Sequence, residues 1–225
     1  MRKTIKILSL TVLLCSFLNL AAQDSKPTKI RYLALGDSYT IGQSVEKDKK
    51  WPVQLKDTLL KENFDFETLK VIAKTGWTTT NLLSALEKED VSNYNLVSLL
   101  IGVNNQFQGL SFGKFKTEFD ELLELSIEIA KNKKHVFVVS IPDYGVTPFG
   151  SNDNKKIKAE IDEYNTYIKS KCKSLSIPFI NITEKSRTLG SKNNALAKDN
   201  LHPSENQYKE WVKIIYPVVK NILEQ

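Results

Sequence analysis

Five short runs rich in β-branched and aromatic residues recur along the chain, and stretches with helical spacing separate them. That alternation constrains the fold more than any other feature. The runs are "IRYLALG" (30–36), "LKVIA" (69–73), "LVSLLIG" (96–102), "HVFVVSI" (135–141) and "PFINI" (178–182). Each is bounded by Gly, Pro or Asn, as strands are. Between them, Trp51 to Phe64 carries Val53, Leu55, Leu59 and Leu60 on one side, and "NLLSALEKE" starts at Asn81. Phe112 to Lys131 repeats Phe115, Phe119, Leu122 and Leu123, and residues 154–174 place Ile157, Ile161, Tyr164 and Ile168 three and four apart. These spacings predict helices. A last helix opens at Ser204 with Gln207 three residues on, the spacing of a capping box, and Pro217 is expected to kink it. Strands alternating with helices need right-handed crossovers, hence an α/β fold with a parallel five-stranded sheet covered on both faces.

No repeat or Pro/Gly-rich linker interrupts residues 30–225, which read as one domain. A span of that length can bury a full core without disulfides or metal staples. The first 22 residues differ in character. Arg2, Lys3 and Lys6 precede an apolar stretch from Ile7 to Leu20, and small Ala21 and Ala22 follow. This is the layout of a signal peptide cut after Ala22, with 23–29 as a polar leader. The apolar stretch is short for the roughly 20 residues of a membrane span. Export to a bacterial periplasm or the medium is therefore expected, with no stable membrane span after cleavage.

Cleavage changes the charge balance. The whole chain has 32 Lys+Arg against 26 Asp+Glu. Removing the three basic residues of 1–22 leaves 29 against 26, or +3. The lysines are interleaved with acids, as in "ALEKED", which is the pattern of solvated faces rather than of a nucleic-acid surface. Only Cys172 remains after cleavage, so no intrachain disulfide can form. The two histidines are far apart, no H-E-x-x-H occurs, and "GDSYTIG" lacks the lysine of a phosphate loop. No metal, cofactor or nucleic-acid partner is expected.

In parallel α/β sheets, ligands bind outside the carboxyl ends of the strands. The polar positions of this chain gather there. The first strand is followed by Asp37-Ser38, the second by Gly76, the third by Asn104-Asn105, the fourth by "PDYGVTPFG", and the fifth, after a polar loop, by Asp199 and His202. A serine hydroxyl becomes a nucleophile when a base takes its proton and a third group orients that base. His202 stands three residues after Asp199, so one turn can bring imidazole and carboxylate together. His135, among lysines at the start of a strand, reads as an exposed structural histidine. Ser38 N–H, Gly76 N–H and the Asn104 side-chain amide are candidate donors for the oxyanion that Ser38 attack would create.

The set "GDSYT", "TGWTT", "GVNNQ" and "DNLHP", in this order, resembles the SGNH hydrolases, also called the GDSL lipase/esterase family. The resemblance spans residues 30–222. It implies a flavodoxin-like three-layer α/β/α sandwich and a metal-free serine hydrolase of esters or thioesters. Its invariant Ser, Gly, Asn and His fall on Ser38, Gly76, Asn104 and His202, with the acid on Asp199. Asn105 departs from the pattern, since many members carry Asp there, and fine substrate positioning is the property that this departure touches.

A second serine lies in "GLSFG" (109–113), which fits the G-x-S-x-G nucleophile elbow, but polar "NNQFQ" precedes it where the elbow needs a strand. Ser111 instead reads as the start of the helix that follows. Trp77, Phe107 and Tyr144, with Phe112 and Phe149, sit on or beside the loops where substrate walls are built. The expected activity is an exported serine esterase, of lipase or lysophospholipase type or a general acyl esterase, acting on a small-molecule, lipid or glycan ester. A carbohydrate O-acetyl esterase of the same mechanism and a non-catalytic glycan or lipid binder of the same fold are the alternatives.

Overall fold

The structure, a computed structural model, describes residues 29–192 and 194–225. The expected signal peptide (1–22) and all of the expected polar leader but Lys29 lie outside the described residues. Five strands form one parallel sheet in the order β2-β1-β3-β4-β5: β1 (Ile30–Gly36), β2 (Phe66–Ala73), β3 (Leu96–Leu100), β4 (Val136–Val139) and β5 (Phe179–Ile180). Among the described residues eight α-helices accompany it: α1 (Ser38–Ile41), α2 (Trp51–Lys61), α3 (Thr79–Leu86), α4 (Val103–Phe107), α5 (Phe112–Ala130), α6 (Asn154–Leu175), α7 (Thr183–Leu189) and α8 (Glu205–Leu223). α2 packs on α8, which also meets α7, whereas α5 packs on α3, α6, β3 and β4. Helices flank the sheet as the α/β sandwich requires. Among the described residues no helix is long and apolar enough to cross a membrane.

The central strands are apolar along their length because both faces are covered. Every residue of β3 and β4 is buried, and so is all of β1 except Arg31. β2 lies at an edge, which explains why it begins three residues before its apolar run. Backbone pairing carries Phe66-Glu67-Thr68 alongside Ile30-Arg31 without any need for burial, and Arg31 reaches Glu67 at 3.6 Å. β5 is shorter than expected. Pro178 has no N–H to extend the ladder, and the chain turns away when Ile182 N–H and Thr183 N–H donate to Ser140 Oγ at 2.8 and 3.1 Å.

The helix ends follow their caps. Thr78 and Asn81 form a reciprocal capping box that starts α3 at Thr79, two residues earlier than the apolar spacing indicates. Ser204 caps α8, but Gln207 donates to the Ala195 carbonyl at 2.8 Å, so only half of that box is realised. α8 runs through Pro217 as one element. Ser111 caps α5, accepting from Lys114 N–H, and the residues before it are turn and helix. The strand that an elbow serine needs is absent from that place.

One buried polar pair ties the two central strands. Tyr32 on β1 and Ser98 on β3 are both fully buried and share a hydrogen bond of 2.8 Å. Ser98→Ala leaves the tyrosine hydroxyl unpaired and is expected to cost about 1–3 kcal/mol in urea unfolding. Adding Tyr32→Phe removes that orphan, so the double variant should recover much of the loss. Additive losses would refute the pairing.

Candidate active site

The strand order reverses direction between β1 and β3, and their carboxyl ends frame the crevice where ligands of such sheets bind. Ser38 leaves β1 and Asn104 leaves β3 at this point. The close approach depends on Gly36. A Cβ there would lie 2.4 Å from the Leu100 carbonyl oxygen and 2.3 Å from Thr40 Oγ1. Asp37 then caps α1, its Oδ1 accepting from Tyr39 N–H at 3.0 Å. Its Oδ2 is buried and unpartnered, and burial pushes its carboxyl up to about 7. Ser38 is thus the first helical residue, beside the unpaired N–H groups of a helix start.

The loop before α8 carries the acid and the imidazole. A bridge between Leu196 and Pro203 closes it, and Ala197 N–H donates to the His202 carbonyl at 2.8 Å. Within it Asp199 Oδ1 accepts from Leu201 N–H at 3.0 Å and His202 N–H at 2.9 Å. Oδ2 lies 2.9 Å from His202 Nδ1. That contact assigns the Nδ1 proton to the carboxylate side and leaves Nε2 as an acceptor. Burial works against the Asp199 charge, but its donors, the Ser44 hydroxyl and two backbone N–H groups foremost, outweigh it and hold the carboxyl down to about 2. The imidazole is buried and pairs with the Tyr39 ring in a T-shaped arrangement, with ring centroids 5.9 Å apart.

A cavity of about 230 Å³ joins these pieces, lined by Ser38, Gly76, Asn104 and His202 together with Tyr39, Thr75, Val103, Phe107, Tyr144, Phe149 and Leu201. Among the described residues, no formally charged side chain lines that wall. Ser38 and His202 share it without a hydrogen bond between hydroxyl and imidazole, a contact that often tightens only once substrate is bound. A wider depression of about 900 Å³ lies along Ser44, Glu46 and Lys198. It contains neither the serine nor the imidazole.

Gly76 has φ +83° with open space around its missing side chain, so the backbone angle rather than crowding favours glycine. Asn104 Nδ2 donates to the Trp77 carbonyl at 2.9 Å, which fixes the amide and leaves its second N–H free of that bond. Trp77 itself packs half-buried against the core and is absent from the cavity lining. Phe112 also turns inward, stacking on Phe115. Besides Tyr39, the aromatics that reach the cavity are Phe107 at the end of α4, Tyr144 and Phe149, and the ring centroids of these three lie 5.8–6.3 Å apart. Tyr144 is held by its loop. Asp143 accepts from Gly145 N–H at 2.8 Å and from Arg187 Nε at 2.8 Å. His135 lies elsewhere, half-buried at the start of β4, with Nδ1 3.0 Å from the Asn95 carbonyl.

The departure at Asn105 has a physical account. Its Oδ1 accepts from Thr79 N–H at 3.0 Å, and its Nδ2 donates to Thr79 Oγ1 at 2.7 Å. The threonine hydroxyl must then give its own proton away, and it does so to Glu118 Oε2 at 2.5 Å. Lys114 pairs with the other carboxylate oxygen. Burial disfavours the charged Glu118, but bonds from Lys114, Thr79 and Thr80 overcome it and lower its carboxyl below the usual range. This chain of donors joins α3, just after Gly76, to α4, which carries Asn104. Glu118 was not singled out in the sequence. The available signal was an acid between Phe115 and Leu122, on the apolar face of α5.

The profile of the GDSL-like Lipase/Acylhydrolase family matches residues 34–210. An arylesterase of Vibrio mimicus is 28% identical over 142 residues, 63% of this chain and 68% of that protein. Among solved structures, TesA superposes with a TM-score of 0.67 at 16% identity, covering 85% of this chain and 98% of its own. An acetyl xylan esterase from Geobacillus stearothermophilus gives 0.66 at 15% identity, covering 84% and 93%. At such identities the superpositions establish the fold.

The direction of the Asn105 bonds leads to a test. Asn105→Asp sets two carboxylates against one hydroxyl proton and should lower stability by about 1–3 kcal/mol. Combining it with Glu118→Gln reverses the relay, the new amide donating to the Thr79 hydroxyl and that hydroxyl donating to the introduced carboxylate. The pair should regain most of the loss in chemical denaturation. No recovery would show that the direction is misassigned.

Proposed function

The chain belongs to the GDSL-like lipase/acylhydrolase family and is a carboxylic ester hydrolase, and we propose that it cleaves uncharged esters of short acyl or aryl groups through an acyl-enzyme on Ser38. The observation that carries this is the cavity lined by Ser38 and His202 together, with Asp199 bonded to the far nitrogen of the imidazole.

In this mechanism His202 Nε2 takes the Ser38 proton as Oγ attacks the ester carbonyl carbon. The charge that moves onto the carbonyl oxygen is met by the N–H groups of Ser38 and Gly76 and by the Asn104 amide. Asp199 stabilises the imidazolium without taking its proton. Collapse breaks the bond to the alkoxy group, which leaves as an alcohol with the proton from Nε2. Water then repeats the sequence on the acyl-enzyme, releasing the acid and returning the proton to Ser38.

The wall and its size support the substrate class. A space of about 230 Å³ with no Lys, Arg, Asp or Glu among its described lining residues suits a small neutral acyl group or a single ring. Phe107 and Phe149, 53% and 56% exposed, extend the apolar surface outward. They could carry a longer chain or stack on a sugar, so O-acetylated glycans are the second reading, as the acetyl xylan esterase likeness also favours. The charged, apolar and small-residue succession of 1–22 supports export, with cleavage after Ala22.

Two experiments follow from this assignment. Ser38→Ala should lower nitrophenyl acetate turnover by about a thousandfold or more and abolish labelling by an organophosphonate probe. Ser111→Ala removes a helix cap at a cost of about 0.5–2 kcal/mol in stability but, lying outside the cavity lining, should leave turnover near that of wild type. A dead S111A beside an active S38A would reverse the assignment. Phe149→Ala, or trimming 148–152, should change the preference across nitrophenyl esters of increasing acyl length. An unchanged profile would remove this loop from substrate selection.

A further inference from the structure

We propose that Ser44 is a positioning residue for the proton relay, holding Asp199 Oδ2 on the His202 imidazole through its own hydroxyl. The inference rests on the roles given above to Asp199 and His202.

Ser44 Oγ donates to Asp199 Oδ2 at 2.5 Å, across 155 residues of chain. His202 Nδ1 meets the same oxygen, while Oδ1 is taken up by the two backbone N–H groups. Among the described residues the carboxylate therefore has four donors, and the one from outside its own loop is Ser44. The Asp199 side chain is 30% exposed. Without the hydroxyl, Oδ2 faces exchanging water that competes for the lone pair aimed at the imidazole. A charge-assisted bond from a fixed donor is shorter and stronger than a neutral one, and it keeps the acceptor in place as positive charge develops on the ring.

The backbone at Ser44 is consistent with this role. Its φ is +62°, in the left-handed region that a residue with a Cβ enters at a cost. A loop that only needed to turn here would be served by glycine. The preceding residue makes a matching contact, since Gln43 Oε1 accepts from Thr75 Oγ1 at 2.5 Å. These two residues, just past the end of α1, thus brace both flanks of the cavity, one beside Gly76 and the other at the acid.

Ser44→Ala and Ser44→Gly separate the hydroxyl from the backbone. Both remove the donor, and glycine accepts the native φ without strain. In the full chain, both should lower kcat on nitrophenyl acetate by about 3- to 10-fold, the kinetic equivalent of one modest hydrogen bond. KM should remain within about twofold of wild type. The low-field proton NMR resonance of His202 Nδ1–H should move or broaden in both. Wild-type kcat in both variants, a loss in Ala that Gly does not share, or an unmoved resonance would each overturn the proposal. Asp199→Asn is assayed in parallel. If it retains wild-type kcat, the relay itself is wrong; if it is inactive while the Ser44 variants are silent, only the role of Ser44 falls.

Discussion

The approach of β1 to β3 at their carboxyl ends is the constraint on which the rest of the molecule depends. The two strands stay in register to the last pair, Gly36 opposite Leu100, and the missing side chain at Gly36 leaves room for the Leu100 carbonyl. Because the sheet reverses its winding there, the chain leaves both strands into one crevice. Ser38 and Asn104 emerge side by side for a topological reason. Neither needs a long loop to reach the other, so both inherit the rigidity of the sheet.

The acid and the imidazole arrive by a different route. Their loop is built on short-range bonds, with the Asp199 carboxylate receiving the backbone N–H groups two and three residues on. Such a turn sets its own internal geometry but not its place against the sheet. That place comes from contacts of long sequence separation. Tyr208 donates to the Tyr39 carbonyl at 3.0 Å, which ties α8 to the turn that carries Ser38, and Ser44 reaches Asp199 directly. The segment that carries Ser38 thereby also locates Asp199, which is bonded to His202 Nδ1.

Buried polarity has a direction, and Asn105 illustrates why a residue that looks like a lapse from the family pattern need not be one. Thr79 has a single hydroxyl proton to give. With Glu118 receiving it, residue 105 must supply a proton to the hydroxyl, and asparagine does this while still accepting from the Thr79 backbone. An aspartate would serve where no second carboxylate stands. Neither position can be judged without the other, and they are 13 residues apart, on different helices.

The sequence by itself determined the fold class, the strand ends that bear polar residues, and the grouping of Ser38, Gly76, Asn104, Asp199 and His202 along the carboxyl edge. Apolar periodicity reports which face of an element must be covered, and that requirement is local. Helix starts were legible at Ser111 and Ser204, less so at α3, whose Thr78 cap precedes its apolar residues, and at the edge strand β2, whose pairing needs no apolar side chains. Only the tertiary structure decided that Trp77 and Phe112 turn inward while Phe107, Tyr144 and Phe149 reach the cavity. It alone paired Asn105 with Glu118 through Thr79 and brought Ser44 to Asp199. A side chain's direction on a loop, and the partner of a buried polar group, depend on how whole layers pack, and no spacing along the chain encodes that.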